Sequence, residues 1–491
     1  MNNVSVSRIP RSLFRHHYRL EQLSITDNSI SCISDSIFAD LHSLRELTLS
    51  RNLLTTLRSN MFTGLLQLNR INLSKNKIES LNNAVFENLL RLKIIVLSNN
   101  KIQFLRPNYF SGLKNLIKLD LTSNAISFIQ DEAFKGLNKL RQLMLGKNML
   151  SKVTNTSFSS LPGMLSLEVQ GNLISTIDRN SFIGMQQLQT LDLTSNRLTV
   201  LNISTFRGLG QLNTLFLDAN NIHTIEPYSL YPLMNLRKLH LHSNQLRYLD
   251  LNSFFGLTSL SLLQLTGNQL TEIQSGAFSN LRSLRELRMN DNKLQVLKKG
   301  TFSGLVSLQR LYIAHNMIEQ VDEESFSYLP SLQSVEMFGS KMNCTCSFMK
   351  TLISLATDWL QVDCRNFDDG TQKIANIPRP ISLHFTDRET FRHCETSKCL
   401  SSLSIQTSKC TKCGGYTNSP LCTRHDFEHC VLVAMEKMEE ERGDGLKCRD
   451  LRCGSSEKCR RNAKTSCGCV EKTILVKIVI LIVGLITVDY C

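Results

Sequence analysis

Apolar residues return along this chain at a fixed beat. An asparagine recurs every 24 residues, at Asn28, Asn52, Asn76, Asn100, Asn124, Asn148, Asn172, Asn196, Asn220, Asn244, Asn268, Asn292 and Asn316. Leucine or a similar residue stands eight, five and three positions before each one, as in Leu68, Ile71, Leu73 and Asn76. Within each unit the short alternation of apolar and polar positions predicts a strand with one buried and one solvent-facing side. Thirteen units without an insertion predict one supersecondary block stacked thirteen times. Parallel pairing at ~4.8 Å per strand would give a sheet roughly 60 Å along its arc.

The asparagine has a structural task in this scheme. After the strand the backbone turns inward and buries amide and carbonyl groups. A carboxamide carries both donors and an acceptor, so a column of asparagines satisfies those groups from unit to unit. Ten positions after the asparagine comes phenylalanine: Phe38, Phe62, Phe86, Phe110, Phe134, Phe158, Phe182, Phe206, Phe254, Phe278, Phe302 and Phe326, with Leu230 as the exception. Each buried ring contributes ~1.5–3 kcal/mol before entropy is counted.

With these columns in place the chain resembles the leucine-rich-repeat family, in its 24-residue extracellular type with a phenylalanine spine. The resemblance covers about residues 20–340. It implies an α/β-type solenoid, with a parallel sheet on the concave face and a mostly irregular convex side. At the next expected asparagine the chain has Ser340, and Asn343, Cys344, Thr345 and Cys346 follow, then a run read as helical containing Trp359, then Cys364 and Cys394. This is similar to the cysteine-rich C-terminal cap of extracellular repeats. The resemblance implies the pairs Cys344–Cys364 and Cys346–Cys394, whereas spacing alone permits three connectivities. The expected segments are a partial N-terminal cap over 1–19, the solenoid over 20–340, the cysteine-rich cap over 341–396, a cysteine-rich stalk over 397–472 and an apolar end over 473–491. The cysteines of 448–469 resemble the first five of an epidermal-growth-factor-like module. No charged stretch with an apolar run and cleavage site opens the chain, and cap cysteines are missing upstream, so an incomplete N-terminus is expected.

Residues 474–488 are apolar except for Lys477. A span needs ~20 residues, so a truncated or terminal membrane segment is expected, with the repeats outside the cell. Lys472 and Lys477 precede it and Asp489 follows, which the positive-inside rule reads in the opposite orientation; a glycolipid-anchor signal is the other reading. The cysteines cluster beyond residue 343, as in disulfide-stapled modules of an oxidising compartment. Sequons at Asn72, Asn155 and Asn202 permit glycosylation, with further ones at Asn3 and Asn343.

The net charge of +14 is spread through repeats and tail without a long basic run. Together with mixed-sign strand residues, that points away from nucleic acid and leaves sulfated glycan contact as a lesser reading. The column four before each asparagine changes character along the chain. Its later half supplies Phe216, His240, Arg288 and Tyr312, with Asp218, His242, Arg310 and His315 alongside. These side chains point away from the core, and exposed aromatics and arginine are enriched at binding hot spots. A glycan on Asn72 would obstruct the early part of the face and favour units nine to thirteen.

His240, His242 and Asp218 are metal-ligand types, as are Cys410, Cys413, Cys422 and His425, yet solvent histidines and disulfides are the plainer accounts. Arg442, Gly443 and Asp444 spell an integrin tripeptide that is frequent by chance. No nucleophile elbow, zincin helix or glycine-rich phosphate loop occurs, so no catalysis, metal or cofactor is expected. The arrangement is broadly similar to Toll-type and Slit-type repeats and to leucine-rich-repeat adhesion and seven-helix receptors. The leading expectation is therefore a cell-surface receptor or adhesion protein that binds a protein ligand on the concave face, with pairing of two copies left open. A secreted matrix protein, an ectodomain of a G-protein-coupled receptor and a cytosolic tail-anchored scaffold with a zinc module are the alternatives.

Overall fold

The computed structural model describes residue 2 and residues 6–10, 12–345, 348, 351–352, 359–368, 373–375 and 381–384. All belong to one compact unit, Met1–Cys399. The side chains of Cys344 and Cys364, all of Cys346 and Cys394, the stalk and the apolar end lie outside the described residues.

The first leucine of each L-x-L segment and its two neighbours form a three-residue strand, from Gln22–Ser24 to Arg310–Tyr312. Successive strands pair in parallel with an offset of 24 residues, as Gln22↔Glu46 and Glu286↔Arg310 show. The central leucine of each strand points into the core. Leu47, Ile71, Leu143, Leu215, Leu263 and Leu311 are all inaccessible to solvent. A fourteenth coil opens with the longer strand Ser334–Thr345, paired in the same register as Arg310↔Ser334. The repeat thus runs one coil past the last ladder asparagine.

The asparagine column works as its chemistry requires. Asn76 donates to the carbonyls of Leu49 and Leu73, each at 3.0 Å, and accepts the amide of Leu54 at 3.1 Å. Asn220 and Asn316 repeat the pattern on their own neighbours. A buried carbonyl left unpaired costs about 1–3 kcal/mol, so the column fixes each coil on the one before it. The phenylalanines form the second column. They are the largest fully buried side chains, and Phe62, Phe86, Phe110, Phe134 and Phe158 stack successively with centroids 5.9–6.5 Å apart. Leu230 fills the gap in the column, fully buried.

Residues ahead of the first full coil follow the same plan. The amide of Val6 donates to Asn28 Oδ1, and Phe14 lies against Phe38 at 5.7 Å, 24 positions before it. The segment read as a partial cap therefore carries repeat-type contacts.

Two details were not legible in the apolar pattern. The residue before each ladder position is left-handed, whether glycine, as at Gly171 and Gly267, or not, as at Lys75, Ala219, Ser243 and His315. The expectation of a helix around Trp359 is also corrected. Trp359–Asp368 is a strand, parallel to Ser334–Thr345 and antiparallel to Lys373–Ala375 and Ile381–His384. The end of a sheet presents unpaired amides and carbonyls, and this strand satisfies them.

Candidate ligand-binding surface

The solvent side of the sheet is formed by the outer residues of the three-residue strands and the position following the next leucine. Because the register is fixed at 24, side chains from successive units stand directly beside one another. The sequence-predicted residues separate into two clusters.

The first is built by units nine and ten. Phe216 and His240 are register partners, and their rings lie 4.5 Å apart at 31°. His240 Nδ1 is 3.0 Å from Gln264 Oε1 on the next strand. Burial pushes the His240 imidazole below its ordinary pKa, against the pull of Asp218 and the Gln264 hydrogen bond. Asp218 accepts the backbone amide of His242 at 2.9 Å, and its other oxygen is 3.6 Å from His242 Nε2. It is only 5% exposed, and burial pushes its carboxyl above the usual range despite both histidines. This corrects the reading of Asp218 as an outward residue: it is buried and ties one coil to the next. Asn290 does the same for Ala314, at 2.8 Å.

The second cluster belongs to units twelve and thirteen and is organised by a residue that the hydrophobic pattern did not single out. Glu286 is 9% exposed and accepts from Arg288 Nε at 2.5 Å through one oxygen and from Arg310 Nε and Nη2 at 3.0 and 2.7 Å through the other. Burial pushes the Glu286 carboxyl up, but the two guanidiniums outweigh it and hold its pKa below the ordinary glutamate value. The Arg288 guanidinium in turn lies over the Tyr312 ring, 5.0 Å from its centroid, a cation–π contact. Tyr312 is pushed up, first by burial and then by Glu286 and Glu336. The signal for Glu286 was present: it stands two residues before Arg288, on the same strand face, and in register with Arg310.

His315 is not on a strand. It occupies the left-handed turn at φ 53° and meets Phe338 edge-on at 4.9 Å. Unit eleven, with Leu262 and Gln264, separates the two clusters. Among the described residues no group of three or more His, Cys, Asp or Glu is placed to hold a metal ion. No helix among them is long and apolar enough to cross a membrane.

Asn72 is half-buried in the same column and its Oδ1 accepts the Ser74 amide at 3.0 Å. Asn155 is exposed in a turn. Asn202 Oδ1 accepts from the amide and hydroxyl of Ser204, the hydroxyl at 2.9 Å.

The leucine rich repeat family profile matches residues 1–54, 43–102, 90–150, 139–198, 186–246, 234–294 and 282–342. No curated protein sequence matches the chain. Among solved structures, it is similar to a chain of the TLR13–ssRNA13 complex, at 28% identity and TM-score 0.58, over 68% of this chain and 52% of that one. A chain of the Drosophila Toll–Spatzle complex aligns at 22% identity and TM-score 0.60, over 71% of this chain and 51% of its own length. A leucine-rich-repeat protein of Leptospira interrogans aligns at 26% identity and TM-score 0.60, over 74% and 88% respectively. The chain thus spans about half the length of the two receptor-complex chains it matches. With the asparagine ladder, the phenylalanine column and the family match in agreement over the same residues, this chain belongs to the leucine-rich-repeat family.

Proposed function

We propose that this is a receptor-type repeat protein of the cell surface that recognises a protein ligand on the solvent face of its sheet, within units nine to thirteen. The observation that carries the reading is the Glu286 clamp, which holds Arg288 and Arg310 in place and sets one guanidinium over Tyr312. An anchor whose rotamers are already fixed loses less entropy on binding, and preorganised aromatic and arginine side chains dominate hot spots. Phe216 stacked on His240 supplies a second, more apolar anchor. The two similar receptor-complex structures carry an RNA and a protein respectively. The fold therefore does not choose the ligand class; the side chains do. A face with two aromatic anchors, whose arginines are already engaged by a shared carboxylate, suits a protein surface better than a phosphate backbone.

The cap disulfides, the glycans at Asn72, Asn155 and Asn202, and the membrane insertion of 473–491 belong to the same proposal. Carbonate extraction of the expressed full chain tests the location: retention with membranes is expected, and release would favour a secreted matrix protein. Thiol titration under denaturing conditions should find few free cysteines; many, with bound zinc, would favour the cytosolic scaffold. For the ligand site, the full chain is screened against displayed extracellular proteins, and hits are remeasured with Phe216→Ala, Arg288→Ala and Tyr312→Ala. At least a tenfold loss is expected from one or more of them, since hot-spot truncation costs about 2 kcal/mol or more. Hits whose affinity survives all three substitutions would overturn the assignment.

A further inference from the structure

The edge by which each coil enters the sheet carries a charge pattern of its own. Positions nine and seven before the ladder asparagine stack from coil to coil along this edge, and they include Arg91, Lys93, Lys139, Arg141, Arg237 and Arg285, all exposed. In these two columns from residue 19 to residue 333 the only carboxylate is Glu21, which faces Arg45 at 3.6 Å. The other cations have neutral partners or none. Arg91 Nη1 donates to Gln67 Oε1 at 2.5 Å, Lys139 Nζ to Asn115 Oδ1 at 2.8 Å, and Arg141 Nη1 to the Gly163 carbonyl at 2.6 Å. Lys93, Arg237 and Arg285 make no side-chain hydrogen bond or ion pair among the described residues. A neutral oxygen orients a cation without cancelling its charge.

Elsewhere on the solenoid cations and carboxylates are interspersed, and some of the cations are paired. Where the chain leaves the sheet, Lys152 meets Asp178 at 2.9 Å and Lys298 meets Glu272 at 2.7 Å. On the sheet, Glu286 pairs with two arginines at once. What sets this edge apart is that its two columns hold cations and, after Glu21, no carboxylate.

A trough of about 1020 Å³ runs along that edge from Leu165 to Arg285. Besides its two arginines, Arg237 and Arg285, it is lined mainly by amides and hydroxyls, among them Gln189, Gln211, Ser259 and Ser283, and by no carboxylate and no aromatic ring. Those four side chains make no hydrogen bond to other described residues. From Lys93 to Arg285 is eight repeats, roughly 40 Å at ~4.8 Å per strand. A ligand that meets charge at both ends of such a path is a polymer.

We propose that this edge binds a linear sulfated polysaccharide. Its sulfates would lie against the unpaired arginines and lysines, where guanidinium geometry suits a multi-oxygen anion. Its sugar hydroxyls would bond to the amides and hydroxyls of the trough. Single-stranded nucleic acid is the weaker fit, because sequence-tolerant binding of that kind relies on aromatic rings for the bases, and the trough has none. The site is separate from the protein-binding face and does not depend on it.

The test uses the full chain and heparin oligosaccharides, with affinity measured near physiological salt, where isolated surface charges are screened within about 8 Å. The combined variant R91Q/R141Q/R237Q/R285Q should bind at least tenfold more weakly. The variant K152Q/K298Q, which removes paired cations from the opposite edge, should change affinity less than twofold. Thermal unfolding of both variants establishes that they are folded. Equal losses in the two variants would overturn the proposal in favour of general charge attraction. So would a desulfated oligosaccharide that binds as well as the sulfated one, or an RNA oligomer of equal charge that binds more tightly.

Discussion

The two sides of each strand obey opposite rules. Inward, thirteen units repeat one solution, and Leu143, Leu191 and Leu239 are interchangeable in role as well as in kind. Outward, neighbouring units share only their register, and Asp192, Phe216, His240, Gln264, Arg288 and Tyr312 stand side by side with no common chemistry. The inward side must satisfy buried amides and fill space, which admits few residue types. The outward side answers to solvent or to a partner, and stability constrains it at fewer positions, such as Asp218 and Asn290, which tie one coil to the next. The contrast can be broken experimentally. Phe254→Ala removes a fully buried ring that stacks on Phe278 at 5.9 Å. It should cost about 3–5 kcal/mol in denaturant unfolding. Phe216→Ala, on the half-buried outer face, should cost well under half as much. Similar costs for the two would mean that the sheet face is a structural surface, not a spare one.

That asymmetry also explains what could be read in advance. The ladder, the phenylalanine column and the parallel register follow from the 24-residue period, because burial penalises every departure from it. Leu230 shows the tolerance: an apolar side chain still fills the site. Features that depend on a partner across the sheet were less visible. Asp218 holds the amide of His242, a contact that appears only when residues 24 apart are aligned. Glu286 binds arginines on its own strand and the next one, although neither is adjacent to it in sequence. The cationic edge was diluted in the linear sequence, where its members are separated by uncharged residues and by charged residues of both signs from other faces. The strand at Trp359 is not legible in the sequence, because apolar spacing in a short run does not distinguish a helix from a strand that completes a sheet end.

A second contrast lies within the outer face, between the histidine cluster and the arginine clamp, and pH separates them. His240 has a folded pKa below its ordinary value, because burial disfavours the charged ring. Between that lowered value and the unfolded value near 6.5, the unfolded chain holds more proton, so stability rises with pH and falls on acidification. Asp218 is raised above 3.8, again by burial, so in the window just above 3.8 the native state holds more proton and acidification stabilises. Glu286 is lowered below 4.5, and its contribution is present above that value and lost as pH falls through the folded one. Asp218 and Glu336, both raised by burial, oppose Glu286 on acidification, and replacing His240 separates the histidine from all three. Unfolding midpoints between about pH 7.5 and 5.5 should therefore decline in the native chain. They should decline less in His240→Gln. An identical slope in the variant would remove His240 as the source.

The smallest effect sharpens the inward rule at the turn. Ala219 sits immediately before the ladder residue Asn220, exposed, at φ 53°. A left-handed conformation costs an L-residue roughly 1–2 kcal/mol. Glycine avoids that cost but brings about 0.5–1 kcal/mol of backbone entropy into the unfolded chain. Ala219→Gly should accordingly stabilise the solenoid by up to about 1 kcal/mol, seen as a higher denaturant midpoint with an unchanged slope. Gly171 and Gly267 already hold the equivalent position at φ 67° and 68°, so Gly171→Ala should move the midpoint the other way. Matching shifts of opposite sign would show that the turn is set by the asparagine ladder and merely tolerated by the residue before it. A destabilised Ala219→Gly would instead mean that the alanine side chain contributes packing on the outer face, and that the outward side is less free than its variety suggests.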